Sequence, residues 1–349
     1  MTIYDIAKLA NCSASTVSRV INNRGGVSKK KREEIAALLH KHNYVPDENA
    51  RSLVMQTNRT IGILMDNTSS EHMSEGVLRI EYELMAHGYF CFIKLIEPTE
   101  EGITEGIQSL LRHRVAGALC MGIVFRDKKE YVSKEAAHYL ADIPLVMVNH
   151  MQSFPNPNIY TVGTDERTGF ENSVNLLVER GCRNLVLLLD KNRRSAHIIR
   201  RGFEAGLQNH PDVKGLVYEN IPVEMEAGAP LCERILQDMP DVDGIIAART
   251  TIGAGVLYAL QDRNIKVPED VMMISEGGDK SCKFCRPAMT NLDTMLTVCA
   301  TLSANTILDV LNGRSVAHNV TLQLELHERA STARNFSRRT RHRYSLLVS

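Results

Sequence analysis

The spacing of apolar residues changes character along this chain. The N-terminal part carries short apolar runs at helical spacing, and from about residue 60 blocks of consecutive aliphatics alternate with amphipathic stretches. The opening segment, TIYDIAKLANCSASTVSRVINN from Thr2 to Asn23, predicts two short helices joined by a tight polar turn. Thr2 and Asp5 stand at capping-box spacing at the start of the first. Ser13 caps the second, which runs from Ala14 to about Asn22. Val17, Val20 and Ile21 share one face of it, leaving Ala14, Ser15, Ser18, Arg19 and Asn22 on the other. Ser28 caps a third helix that begins Lys29-Lys30-Lys31-Arg32, and Pro46 ends the element before the next segment. Ala50–Met55 allows about one and a half helical turns, marginal alone in water because nucleation is costly.

Beyond this, strands are predicted at Ile61–Met65, Phe90–Ile96, Ala116–Met121, Leu145–Asn149, Tyr160–Gly163, Leu185–Leu189, Gly244–Ala248 and Val271–Ser275. Helices are predicted over 75–87, 103–113, 166–180, 197–209, 226–238, 252–263 and 294–312. Short aliphatic strands separated by amphipathic helices argue for parallel sheets covered on both faces. There are too many strands for one sheet, and His150–Asn158, with two prolines, reads as a crossing between two halves. Two lobes with a cleft at the carboxyl ends of their strands follow.

Charge sharpens the picture of the N-terminal part. Residues 1–59 hold ten Lys or Arg against five Asp or Glu, while the whole chain holds 41 of each, so a basic head sits on an acidic body. That asymmetry points to a polyanion at one end. A short helix with a buried aliphatic stripe and a small, hydrogen-bonding outer face fits the major groove of B-DNA, and the basic start of the third helix then reads as phosphate contact.

The residues Tyr4-Asp5-Ile6-Ala7, Ser13, Thr16-Val17-Ser18-Arg19-Val20-Ile21-Asn22, Val27-Ser28, Tyr44, Pro46 and Ala50-Arg51-Ser52-Leu53 closely resemble the lactose/galactose repressor (LacI/GalR) family of bacterial transcription regulators. The family usually has Gly where Asn11 stands, and Asn is the next residue most tolerant of a left-handed conformation. The resemblance implies an N-terminal all-α helix-turn-helix head and an α/β, two-lobed, periplasmic-binding-protein-like core of doubly wound parallel sheets. The expected domains are a head over 1–45, a hinge over 46–58, a core over 59–335 and a basic tail over 336–349. Within the core the N-lobe would take about 60–161 and 291–321, and the C-lobe about 162–290 and 322–335, with later crossings near 290 and 322. The resemblance further implies that the hinge folds only when two copies pair on DNA, with Leu53 wedged in the minor groove beside Arg51, which bends the duplex.

For direct readout, Arg19 can pair bidentately with guanine. Ala14 and Ser15 match the positions that set operator preference in the family. Thr16, Ser18 and Asn22 are phosphate or base-edge candidates, and Thr2, Ser13, Lys29, Tyr44 and Asn49 complete the expected DNA-binding set. Such heads dimerise, so the partner is a pseudo-palindromic double-stranded operator.

The effector positions depart from the pattern of sugar-binding members. An Arg is usual where Ile199 stands before Gly202-Phe203, Asn-Asp where Arg249-Thr250 stand, and Gly-aromatic-Asp-Asp where Ser275-Glu276-Gly277-Gly278 stand. The expected effector set is therefore Asp66, Asn149, Ile199, Arg249, Glu276 and Gly277. Arg249 at the mouth of a cleft would favour an anion such as a phosphorylated or carboxylated sugar, unless a neighbouring carboxylate pairs with it. Asp165 reads as the cap of the helix that follows it.

Other classes fare worse. No nucleophile elbow, P-loop, dinucleotide fingerprint or zinc signature appears, and His72, His150 and His197 have no clear Ser or Cys partner, so neither enzyme activity nor a cofactor is expected. Eight scattered cysteines suit a reducing cytoplasm, and Cys282-Lys-Phe-Cys285 lacks the second pair that a metal or redox site needs. No apolar run reaches membrane-span length and no leader precedes the first helix, so a cytoplasmic chain is expected, with no membrane partner. With no heptad run at the C-terminus, a homodimer through lobe-to-lobe contacts is expected. The tail, with Arg338, Arg339, Arg341 and Arg343, reads as an extension without structure of its own.

Overall fold

The computed structural model describes residues 1–21, 25–43, 59–66, 71–190, 195–277 and 279–333. The chain divides into two compact units at Arg59/Thr60.

In the first unit, α1 (Ile3–Leu9), α2 (Ala14–Ile21) and α3 (Lys29–Lys41) enclose a small core of Ile6, Ala7, Ala10, Val17 and Ile35. Thr2 and Asp5 form the reciprocal capping box, with Asp5 Oδ2 accepting from the Thr2 backbone N–H at 2.7 Å. The turn after α1 passes through Asn11 at φ +46°, the left-handed conformation that its amide side chain tolerates.

The second unit begins with β1 (Thr60–Asp66), α4 (Glu71–Ala86), β2 (Phe90–Ile96), α5 (Glu100–Arg112), β3 (Gly117–Met121), α6 (Ile123–Asp127), α7 (Lys129–Tyr139), β4 (Leu145–Val148) and β5 (Ile159–Asp165). The chain then makes α8 (Glu166–Glu179), β6 (Asn184–Asp190), α9 (Ala196–Gln208), β7 (Lys214–Ile221), α10 (Gly228–Asp238), β8 (Gly244–Ala247), α11 (Thr250–Asp262), β9 (Met272–Glu276), α12 (Asp279–Phe284) and β10 (Thr290–Asp293). It ends with α13 (Leu296–Leu311), β11 (Asn319–Gln323), β12 (Glu325–His327) and a short 3₁₀ turn.

Two six-stranded sheets result, in the orders β11-β5-β4-β3-β1-β2 and β12-β10-β9-β8-β6-β7. The first is wholly parallel; in the second only β12 runs antiparallel, against β10. Each strand sends alternate residues to opposite faces. On the first sheet, Ile61, Ile63, Leu119 and Val146 meet α4 and α13, while Leu64, Ala118, Cys120 and Met147 meet α5, α6 and α7. On the second, Val186, Ile245 and Met273 meet α10 and α11, and Leu185, Leu187, Ile246 and Ile274 meet α8 and α9.

The crossing points differ from the sequence reading. His150–Asn158 does not cross: it joins β4 to β5, which pair side by side in the first sheet, Leu145 opposite Ile159. The chain leaves that sheet only after Asp165, returns between Asp293 and Leu296, and leaves again at Leu324. The two prolines and two asparagines of 150–158 mark an ordinary loop, since turn chemistry does not say which sheet the next strand joins. Residues 291–293, placed in the N-lobe by the sequence, belong with Thr290 to β10 of the second sheet for the same reason.

Candidate DNA-binding head and effector cleft

At the start of α2 three hydroxyls converge. Ser13 Oγ accepts from the Thr16 backbone N–H at 3.2 Å and lies 2.7 Å from Ser15 Oγ and 2.9 Å from Thr16 Oγ1. Val17 is fully buried and Val20 and Ile21 pack on the same core, which turns Ser15 and Arg19 outward. Arg19 reaches back over the following turn, its Nη1 3.6 Å from where a Cβ on Gly26 would stand. The outer face is thus small hydroxyls and one guanidinium, groups able to donate to and accept from base edges and phosphates.

Two assignments change. Ala14, expected on the outer face, packs half-buried against the core, because the first residue of α2 lies over the end of α1. Of the basic run at α3, Lys29 and Lys30 are exposed, but Lys31 turns inward: its Nζ donates to the Ala10 carbonyl and pairs with Glu34 at 3.1 Å. Lys31 therefore ties α3 to the end of α1. Ser18 and Thr16 are half-buried, and Thr2 spends its hydroxyl on the capping box. Asn22, Tyr44, Asn49, Arg51 and Leu53 lie outside the described residues.

In the second unit both sheets have their strand order reverse beside the first strand: between β1 and β3 in one, between β6 and β8 in the other. Ligands of open α/β sheets bind at such points, outside the carboxyl ends of the strands. Asp66 ends β1 with its carboxylate buried, and Val124 N–H at the start of α6 donates to it at 3.1 Å. Gly122, at φ +127°, allows this approach: a Cβ there would lie 2.4 Å from the Asp66 carboxyl carbon. On the second sheet Asp190 ends β6 and Arg249 follows β8, and Arg249 Nε donates to Asp190 Oδ2 at 3.1 Å. The side chain of Asp190 is almost fully buried, whereas that of Arg249 is 38% exposed. This carboxylate is the neighbour that answers the anion reading at Arg249, since the guanidinium is already matched there.

Asn149 is exposed in the left-handed region at φ +60°, and its Oδ1 accepts from Thr164 Oγ1 at 3.1 Å. Glu276 is buried, and its backbone carbonyl accepts from Thr250 Oγ1 at 3.1 Å. Gly277 stands at φ +136°, and a Cβ would lie 2.5 Å from Thr250 Oγ1. Its carbonyl accepts from Asn291 Nδ2 at 2.9 Å, so this backbone is fixed by β10 behind it.

Ile199 is a correction. It is fully buried in the second-lobe core with Phe170 and Phe203, and being apolar it has moved to the only side of α9 that can bury it. Arg200 does not replace it in the cleft; it pairs with Glu219 at 2.6 Å. Asp165 caps α8, accepting from Thr168 N at 3.0 Å and from Thr168 Oγ1 at 2.7 Å.

Sequence reading missed the first-lobe pair Arg126 and His150. His150 is 4% exposed, and its Nε2 bonds the Gly122 carbonyl at 3.0 Å. Burial, then the nearby Arg126 charge, pushes its imidazole down to about 4. A cavity of about 500 Å³ is lined by Arg126, Asp127 and Gln152 of the first lobe and by His197 of the second. The signal for His150 was its place directly after a predicted strand; Arg126 had none, because α6 is too short to show a period.

Residues 2–47 match the family described as bacterial regulatory proteins, lacI family, and residues 174–332 match the periplasmic binding protein-like domain. An HTH-type transcriptional regulator of Lachnoclostridium phytofermentans is 24% identical over 334 residues, covering 95% of this chain and 99% of the relative. The ribose operon repressor of Halalkalibacterium halodurans is 26% identical over 293 residues, covering 84% and 85%. Among solved structures, the lac repressor dimer bound to operator and the anti-inducer ONPF superposes with a TM-score of 0.81 at 21% identity, covering 95% of this chain and 99% of that one. A complex of the transcriptional regulator CelR with cellobiose superposes at 0.64, also at 21% identity, with coverage of 95% and 99%.

Proposed function

The chain belongs to the lacI family of bacterial regulatory proteins, and from that premise we propose that it is a transcriptional repressor, working as a dimer on a pseudo-palindromic operator under the control of a sugar-like effector. The observation that carries the reading is the head: three helices around a sealed apolar core, with Ser15 and Arg19 turned outward on α2 and Lys29 and Lys30 exposed beside them. Base-edge and phosphate chemistry sit together on one small unit, as groove binding requires.

The core supports the regulatory half. A carboxylate stands at the reversal point of each sheet, joined at the second by the Arg249 guanidinium, and such polar groups suit a hydroxyl-rich ligand. Two structural neighbours are an operator-bound dimer and a cellobiose complex, and the reading carries both partners over to this chain. Dimerisation has a surface to use. Leu78, Tyr82 and Met85 form an exposed stripe on α4, and Phe90, Ile93 and Leu95 are exposed on the edge strand β2. The working division is head 1–45, hinge 46–58, core 59–335 and tail 336–349, with no catalytic role and a cytoplasmic location. The relatives compared are regulators, and among the described residues no helix is long and apolar enough to cross a membrane.

Selection of duplexes from a randomised pool by the purified full-length chain tests this. A two-fold-related consensus is the expected result. Failure to enrich any sequence at low ionic strength overturns the reading, because non-specific phosphate attraction is strongest there.

A further inference from the structure

Two buried polar atoms at the carboxyl edge of the first sheet have no hydrogen-bond partner among the described residues: Arg126 Nη2, on α6, and His150 Nδ1, two residues beyond β4. They flank the same short stretch. His150 reaches the carbonyl of Gly122, and Arg126 lies in the helix that Gly122 begins. Leaving such atoms unpaired in a folded protein costs free energy, so an unmet donor and an unmet acceptor near one edge call for partners.

The chemistry of the two atoms says what kind. A carbonyl oxygen only accepts, so the hydrogen in the His150–Gly122 bond is on Nε2. The imidazole is neutral, as its burial and the Arg126 charge dictate, and Nδ1 is left with a lone pair. Nη2 of Arg126 can only donate. The site therefore presents one unmet donor and one unmet acceptor. Hydroxyls answer both needs, accepting from the guanidinium and donating to the imidazole. A phosphate or carboxylate oxygen answers only the first and sets its own lone pairs against Nδ1. The cavity beside Arg126, reaching Gln152 and His197, gives room for the rest of a small molecule, and its lysines, Lys128 and Lys129, are already paired with Glu100 and Glu130. The carboxylates of Asp66 and Asp190 end strands at the same edge of their sheets.

We propose that Arg126 and His150 supply a donor and an acceptor to the hydroxyls of a neutral polyhydroxylated effector, and so select against its phosphorylated or carboxylated counterparts. This rests on the cleft being the effector site.

Calorimetry and thermal shift on the full-length protein test it, with ribose, glucose, maltose and cellobiose as neutral probes and ribose 5-phosphate, glucose 6-phosphate and glucuronate as charged ones. At least one neutral probe should bind and raise Tm, and its charged counterpart should bind roughly tenfold more weakly or worse. Arg126→Met and His150→Leu should each weaken the neutral probe by about tenfold or more. His150→Gln, which keeps a donor for Gly122 and an acceptor for the ligand, should restore most of the affinity. Without ligand, Arg126→Met should melt close to the parent, since Nη2 has no partner among the described residues and Nε makes only a long contact with Asp127, at 3.5 Å. Tighter binding of the charged probes, or parental affinity in both Arg126→Met and His150→Leu, overturns the proposal. So does a lower unliganded Tm for Arg126→Met with affinity intact, the mark of a structural water site. If no probe binds while the chain still selects an operator, this inference alone falls; loss of both defeats the regulatory reading as well.

Discussion

Arg19 and His150 show what one side chain does in each unit. Arg19 is exposed on α2, and a bidentate pair with guanine accounts for about 1–3 kcal/mol of base discrimination. Arg19→Ala should therefore weaken operator binding by that amount and relax preference at one base pair per half-site, as measured by competition with single-substitution operators. Equal losses across all those operators would make it a phosphate contact instead. His150 has its folded value held at about 4 against an ordinary 6.5. The unfolded chain thus takes up the proton first as pH falls. The contribution of the neutral ring is whole above pH 6.5, is lost between 6.5 and 4, and levels off below, for a total of about 3 kcal/mol. Urea titrations across that window should show His150→Gln losing less stability than the parent. Neither Arg126 nor His150 stood out as a binding residue in the sequence, because α6 is too short to show a period and only the pairing of β3 with β4 brings His150 to the start of that helix. Ile199 was misplaced for the opposite reason: alignment to a familiar position ignored that an isoleucine seeks the core.

Elements whose burial repeats along the chain were legible; those defined by a distant neighbour were not. The strands β1 to β6, β8 and β9 follow from their aliphatic blocks, and α1 to α3 from caps and spacing. The edge strand β7 is half-exposed along much of its length, and α7 buries only Val132, Ser133 and Ala136, so neither leaves a clean period. The edge strand β11 buries none of its five residues, and it is a strand because β5, more than a hundred residues earlier, gives it a ladder. Capping, in contrast, is local chemistry and was readable. Asp165 satisfies the first turn of α8, so Asp165→Ala should lower the stability of the core by about 1 kcal/mol, seen as a shift in urea midpoint at constant slope. A change of slope would mean that the substitution had altered the extent of unfolding rather than the cap.

For the whole molecule, the stripe on α4 and the apolar edge at β2 carry the clearest expectation. Leu78→Glu combined with Met85→Glu should convert the dimer to monomer in sedimentation experiments. Operator affinity should fall roughly a hundredfold or more, because the second head then binds without the high effective concentration of a tethered pair. Retention of the dimer would move the interface elsewhere. The charge division read from the sequence belongs to this scale too: a basic head on an acidic body confines attraction for the polyanion to one end.

Leu324 alone separates β11 from β12, and it is buried. On one side of it Gln323 is held opposite Asp165, where the first strap leaves its sheet; on the other, Glu325 is held opposite Asp293, where the second strap begins. The three straps are thus clasped into a single narrow pivot instead of three independent threads. Any swing of one lobe against the other must be taken up as torsion within a few backbone bonds around residues 165, 294 and 324, so the lobes would turn about that point rather than slide past one another.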